Sequence, residues 1–292
     1  MRFSTALIAS LLIAFAAAAT PTYAKVKTHA KSAHTTRAAP KKPALPLGPV
    51  RILLTFDDGP ARAQTIKVVH TLQDHKDAQG RGIVGVFFIQ THAGRLGRTG
   101  RGGAADETVA AYRAGNLIAV HTGSRADHVP HTRRVYQSVE DANSDGRITA
   151  ADGRTGLDSD LLRARARIRN LTGQDTIYVR PVGGALNKAV RAAYGREGMR
   201  CILWNVDSND NHAPRPSASG VENHLRSETR ETLRAHPRGD LVILFHDINL
   251  RTVTYLPEYI AAIENTIRGM GRTPQFVRSR AEAVSVLNRN TD

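Results

Sequence analysis

The sequence contains a single cysteine, Cys201, so no intramolecular disulfide can form. That residue sits in Met199-Arg200-Cys201-Ile202-Leu203-Trp204, an apolar strand-like run, and reads as a small buried core residue rather than a reactive thiol. Long apolar runs are missing too. The longest, Ala6 to Ala19, falls short of the roughly 20 residues that span a bilayer, and Pro21 and Lys25 follow at once. With no cysteine near Thr22-Tyr23-Ala24, no lipoprotein anchor is expected at that point. Internal repeats are absent. Acidic charge is scarce: 26 Asp and Glu stand against 41 Lys and Arg, a formal net charge of +15.

What is present at the amino terminus has the form of an export signal. Arg2 supplies a short positive region, Ala6 to Ala19 an apolar core, and Thr22-Tyr23-Ala24 a small-x-small cleavage site. Residues 1–24 are therefore expected to be a signal peptide removed after Ala24, with an uncleaved anchor as the alternative. Residues 25–48 are rich in Lys, Ala, Thr, His and Pro, lack a hydrophobic period, and read as a disordered basic tether. Residues 49–290 are long enough for one substantial domain. A periplasmic or secreted location follows, with no membrane span after cleavage. In that setting the positive charge suits anionic envelope polymers rather than nucleic acid.

Beyond the tether, short apolar segments alternate with helical ones. Strands are expected at Ile52–Phe56, Ile83–Ile89, Leu117–Val120, Thr176–Val179, Cys201–Val206 and Leu241–Phe245. Helices are expected at Gln64–Lys76, Glu107–Ala114, Leu161–Asn170, Lys188–Arg196, Val221–Ala235, Pro257–Arg268 and Arg280–Leu287. The alternation argues for an α/β fold with a largely parallel sheet, either a barrel that need not be complete or a doubly wound open sheet. Residues 127–156 form a long irregular insertion.

In such folds chemistry gathers at the carboxyl ends of the strands. The first strand ends in Thr55-Phe56-Asp57-Asp58-Gly59-Pro60, two adjacent carboxylates before a forced turn. Alone, that run also suits a turn whose aspartates cap a helix. It is not alone. Later strands end in His121-Thr122 with His128 beyond, in Arg180-Pro181-Val182-Gly183-Gly184, in Asp207-Ser208-Asn209-Asp210, and in His246-Asp247.

On these motifs the sequence resembles the polysaccharide deacetylase family, the NodB homology domains of carbohydrate esterase family 4, over roughly Val50 to Asn288. The resemblance implies a distorted (β/α) barrel. It implies that Asp57 is the general base and Asp58 a metal ligand. Arg180 would orient the base, Asp207 and Asp210 would lie near the arginine and the catalytic histidine, and His246 would be the general acid. A divalent cation, Zn²⁺ or another transition metal, would polarise the acetamide carbonyl and acidify a bound water. A backbone N–H near Val182 or Gly183 would help to hold the oxyanion. The implied substrate is an N-acetylated polysaccharide such as peptidoglycan or a chitin-like polymer.

The sequence departs from the family in three places. The family's second motif carries a second histidine three residues after the Thr or Ser, and here that position holds Arg125, which cannot ligate a cation. With His121, the substitute ligand is expected to be His128, the competitors being His131 or a site completed by water. Gly183 replaces an aromatic, and Asn211 replaces a tryptophan, which removes the usual sugar-stacking surface.

A second metal signal lies in the insertion. Residues 141–152 match an EF-hand loop, with Asp141, Asn143, Asp145, Thr149 and Asp152 as side-chain ligands, the Arg147 carbonyl as backbone ligand, and Gly146 at the sharp turn. An Asp/Asn/Gly-rich turn is the alternative. Ca²⁺ there is expected to rigidify the segment that carries His128 and His131.

Overall fold

The computed structural model describes residues 47–96, 104–123, 157–212 and 214–291. The signal-like segment, nearly all of the tether, Arg125, His128, His131 and the EF-hand-like loop lie outside the described residues.

The strands are β1 Val50–Asp57, β2 Val86–Gln90, β3 Leu117–Thr122, β4 Tyr178–Val179, β5 Arg200–Cys201, β6 Val206–Asp207, β7 Leu241–His246 and β8 Pro274–Phe276. The helices are α1 Gln64–Asp74, α2 Ala93–Leu96, α3 Ala105–Arg113, α4 Leu157–Thr172, α5 Lys188–Arg196, α6 Ala218–Ala235, α7 Leu250–Gly269 and α8 Arg280–Arg289. Strand order is β5-β4-β3-β2-β1-β7-β6, every pair parallel, with β8 added beside the start of β1.

The expected strand Cys201–Val206 is two strands, β5 and β6, at opposite edges of the sheet. That split decides the architecture. Six inter-strand steps of about 4.8 Å would put the edges of a flat sheet roughly 29 Å apart. Five residue steps from Cys201 to Val206 span at most about 18 Å. The sheet must therefore curl until its edges approach, as an incomplete barrel, and the doubly wound open sheet is excluded. β8 was not anticipated. It is three residues long and begins with a proline, whose missing N–H is tolerated at the start of a strand. Helix α7 was expected to begin at Pro257 but starts seven residues earlier, at Leu250, where Asn249 accepts the Arg251 N–H. Pro257 lies inside the helix on its exposed side.

Side chains alternate across the curled sheet. Val50, Ile52, Leu54 and Phe56 of β1 join the larger core with residues from α1 and α3 to α7. Leu53 joins a smaller inner cluster with Val86, Phe88, Leu117, Ala119, Tyr178 and Val242, covered by Ala283, Val286 and Leu287 of α8. Cys201 is buried in the larger core, as expected.

Candidate active site

The inner face carries the polar residues. Continuing its two-residue period past Leu53 reaches Thr55 and then Asp57, while Val242 leads to Leu244 and His246. Asp57 and His246 are direct cross-strand partners. From β4, the period passes from Tyr178 to Arg180, whose whole side chain is buried. Its Nη1 donates to Asp57 Oδ1 and to Thr55 Oγ1, both at 2.8 Å. Nε donates to the Ile202 carbonyl at 2.9 Å and Nη2 to the Leu203 carbonyl at 3.2 Å. The guanidinium also lies over the Phe88 ring, 4.1 Å from its centroid. Arg180 thus ties β1 to the link between the two sheet edges.

Asp58 leaves the strand with φ 70, a backbone conformation uncommon for a residue with a Cβ. Its Oδ1 is 3.3 Å from His121 Nε2 and accepts the Gln90 Nε2–H at 3.2 Å. His121 sits where the β2–β3 register jumps: Ile89 pairs Val120 and Gln90 pairs Thr122, so His121 is the extra residue of a bulge. Bulges re-aim side chains in this way beside functional sites. His121 Nδ1 meets the Arg180 carbonyl at 2.8 Å, so that nitrogen holds the proton and Nε2 faces Asp58. Burial pushes the His121 imidazole down, but the charges of Asp57 and Asp58 and the bond to Asp58 prevail and raise its pKa. Asp58 is the counterpart: burial pushes its carboxyl up, but His121, His246 and Gln90 bring it below its ordinary value.

Across the mouth, His246 Nδ1 is 2.7 Å from Asp210 Oδ1. Asp210 is fully buried and held by the His246 backbone N–H at 2.9 Å and by the Thr252 hydroxyl. Burial would push the His246 imidazole down, yet the bond to Asp210 and the negative charge of Asp210, Asp57 and Asp58 push it up to about 9. The imidazole is a cation at neutral pH, with Nε2 4.0 Å from Asp58 Oδ2. Asp207 turns its Oδ1 to the Asn209 N–H at 2.7 Å. A cavity of about 330 Å³ opens over these groups, lined among others by Asp57, Asp58, His121, Gly183, Trp204 and His246. Asp247 is buried behind it, bonded to the Thr65 hydroxyl at 2.5 Å, and burial pushes its carboxyl up to about 7. A Cβ on Gly59 would lie 2.3 Å from that carboxylate, so the turn after Asp58 requires glycine.

The structure brings together Asp57, Asp58, His121, Arg180, Asp207, Asp210 and His246. His128 and the calcium-loop residues lie outside the described residues. Among the described residues no group of three or more His, Cys, Asp or Glu is arranged to hold a metal ion. The donor pair Asp58 and His121 nevertheless suits a divalent cation, because a carboxylate oxygen and an oriented imidazole nitrogen share one buried spot.

Several contributors were missed from sequence. Gln90 ends β2, the one of the six expected strands whose end did not stand out, because a glutamine there carries no chemical signal. Asp160 of α4 is fully buried and accepts the Gly123 N–H at 3.0 Å, fixing the chain just past His121-Thr122. Trp204, quoted from sequence but given no role of its own, lines the cavity, and a Cβ on Gly184 would approach its ring to 2.8 Å.

The family profile described as Polysaccharide deacetylase matches residues 46–202, more than half of the chain. Among solved structures, the peptidoglycan deacetylase PdaC from Bacillus subtilis superposes with a TM-score of 0.52 at 19% identity, covering 84% of this chain and 95% of that one. The chitin deacetylase from Colletotrichum lindemuthianum gives 0.53 at 19% identity over 75% and 83%. A CE4 family pseudoenzyme from Bacillus anthracis gives 0.53 at 13% identity over 82% and 67%. These identities establish the fold, the distorted barrel expected from the sequence. Since the family profile spans β1 to β5 and the curled sheet is the one those structures share, the chain belongs to the polysaccharide deacetylase family.

Proposed function

We propose that the protein is an exported, metal-dependent hydrolase that removes N-acetyl or O-acetyl groups from an envelope or extracellular polysaccharide. One observation carries the reading: an Arg-held carboxylate, a carboxylate–imidazole pair and an Asp-held imidazolium converge on one cavity from separate strands. The export signal, the basic tether and the peptidoglycan and chitin substrates named for the structural relatives support the compartment and substrate class.

Asp58 and His121 would hold the cation, with His128 or His131 completing the set. A divalent cation bound there supplies polarisation of the acetyl carbonyl and a lower pKa for water. Arg180 occupies Asp57 Oδ1, which leaves Oδ2 at the cavity to take a proton from the attacking water. His246 already carries the proton that the departing amine needs, and Asp210 keeps it there. Water thus adds its oxygen to the acyl carbon, the carbon–nitrogen bond breaks, and acetate and a free amine leave. Asp207, beside the cavity, shapes the loop that presents Asp210. The half-buried ring of Trp204, which lines the cavity together with Gly183, offers the sugar an apolar wall where the family's usual aromatics are missing. The calcium loop of residues 141–152 is proposed to order the segment that carries His128.

Acetate release from acetylated chitooligosaccharides or peptidoglycan, abolished in Asp57→Asn, is the expected result. A second reading, a catalytically silent glycan-binding protein, is favoured by Arg125 and by the pseudoenzyme among the structural relatives. One transition metal per chain, lost in Asp58→Ala, supports the enzyme; a metal-free chain that binds glycan without releasing acetate supports the second reading.

A further inference from the structure

The end of β2 contributes a residue that no motif singled out. Gln90 Nε2 donates to Asp58 Oδ1 at 3.2 Å. Its Oε1 faces Arg95 Nη2 at 3.4 Å and His92 Nε2 at 3.2 Å. Arginine can only donate, so the amide oxygen must face Arg95 and the amino group must face Asp58. A flipped amide would set donor against donor on one side and acceptor against acceptor on the other. Arg95 thereby fixes which end of the glutamine meets the carboxylate.

Asp58 needs such a restraint. It sits past the end of β1 at positive φ, outside the ladder that holds Asp57, so its own backbone defines its side chain poorly. A hydrogen bond to an ionised carboxylate is among the stronger ones available. Its partners from neighbouring elements are His121 from β3, His246 from β7 and Gln90 from β2. Of these, only Gln90 is a neutral donor whose contact is independent of protonation.

We propose that Gln90, oriented by Arg95 and His92, is a positioning residue that sets the Asp58 carboxylate for cation binding. The inference rests on the reading of Asp58 as a cation ligand. Outer partners of metal-binding side chains typically change affinity by about 10–100-fold when removed.

The test is calorimetric titration of the metal-free full chain with Zn²⁺ alone. Gln90→Ala and the space-filling Gln90→Met are expected to weaken Zn²⁺ binding by about 10–100-fold, with the melting temperature of the metal-free protein unchanged. Arg95→Met is expected to give a smaller loss in the same direction, because the freed amide can then flip. For acetate release, kcat at limiting metal should fall while KM for the glycan stays put. If Asp58→Ala abolishes Zn²⁺ binding and both Gln90 variants bind as tightly as the parent, the positioning role is overturned and the cation reading stands. Undiminished Zn²⁺ binding in Asp58→Ala overturns both. A loss of affinity found only together with a lowered melting temperature also overturns the positioning role.

Discussion

At the scale of single residues, the site is a set of charges held in place by one another. Asp57 and Arg180 form a buried pair at 2.8 Å, and removing one partner from such a pair leaves the other charge stranded. Asp57→Ala is therefore expected to destabilise the fold by about 3–5 kcal/mol, read from urea denaturation, whereas Asp57→Asn retains a partner for Arg180 and should cost less. A smaller loss for Ala than for Asn would contradict this. His246 is the second case. With its pKa raised to about 9, the imidazolium stabilises the fold fully below about pH 6.5, and that contribution is lost as pH rises through about 9. Asp210→Asn removes the charge opposite it, so the His246 pKa should drop toward its ordinary value. An NMR titration of the imidazole measures this, and a pKa that stays near 9 would show that Asp57 and Asp58 suffice. Residue types were readable at this scale: Asp57, Asp58, Arg180 and His246 stood out as polar groups ending apolar strands. Gln90 and Asp160 did not, because their roles come from neighbours distant in sequence.

At the scale of elements, the strands position the site by parity and the helices by their caps. Inner-face residues of β1 and β7 reach the cavity because every second side chain points there, the same period past β4 aims the buried Arg180 at Asp57, and at β3 a bulge redirects His121. Helix α8 closes the inner cluster. Ser279 caps it by accepting the Glu282 N–H at 3.2 Å, and Glu282 returns a bond to the Arg278 N–H at 2.8 Å. Ser279→Ala is expected to cost about 1 kcal/mol of stability without changing kcat, checked by chemical denaturation beside an acetate-release assay. The expected helices were found, with α7 the main revision, because its true start is marked by Asn249 and the proline inside it resembles a helix beginning.

At the scale of the molecule, the curl of the sheet and the proposed cation are linked. The carboxylates and imidazoles of the site belong to strands at the centre and on both flanks of the sheet, so a cation held between β1 and β3 braces the folded state only. Mass action then predicts that Zn²⁺ at 100 times its dissociation constant adds about 2.7 kcal/mol, seen as a rise in melting temperature that a chelator reverses. No rise with Zn²⁺ would count against cation binding to the native state. Among the described residues no helix is long and apolar enough to cross a membrane.

By itself the sequence determined the element types, the parallel α/β class and the polar strand ends, because hydrophobic periodicity and turn chemistry are local properties of the chain. Only the tertiary structure decided that residues 200–207 split between opposite edges, that β8 joins β1, and that Gln90 meets Asp58. Those are choices among partners far apart in sequence, and they are made by the closure of the sheet and the burial of charge, which no local pattern records.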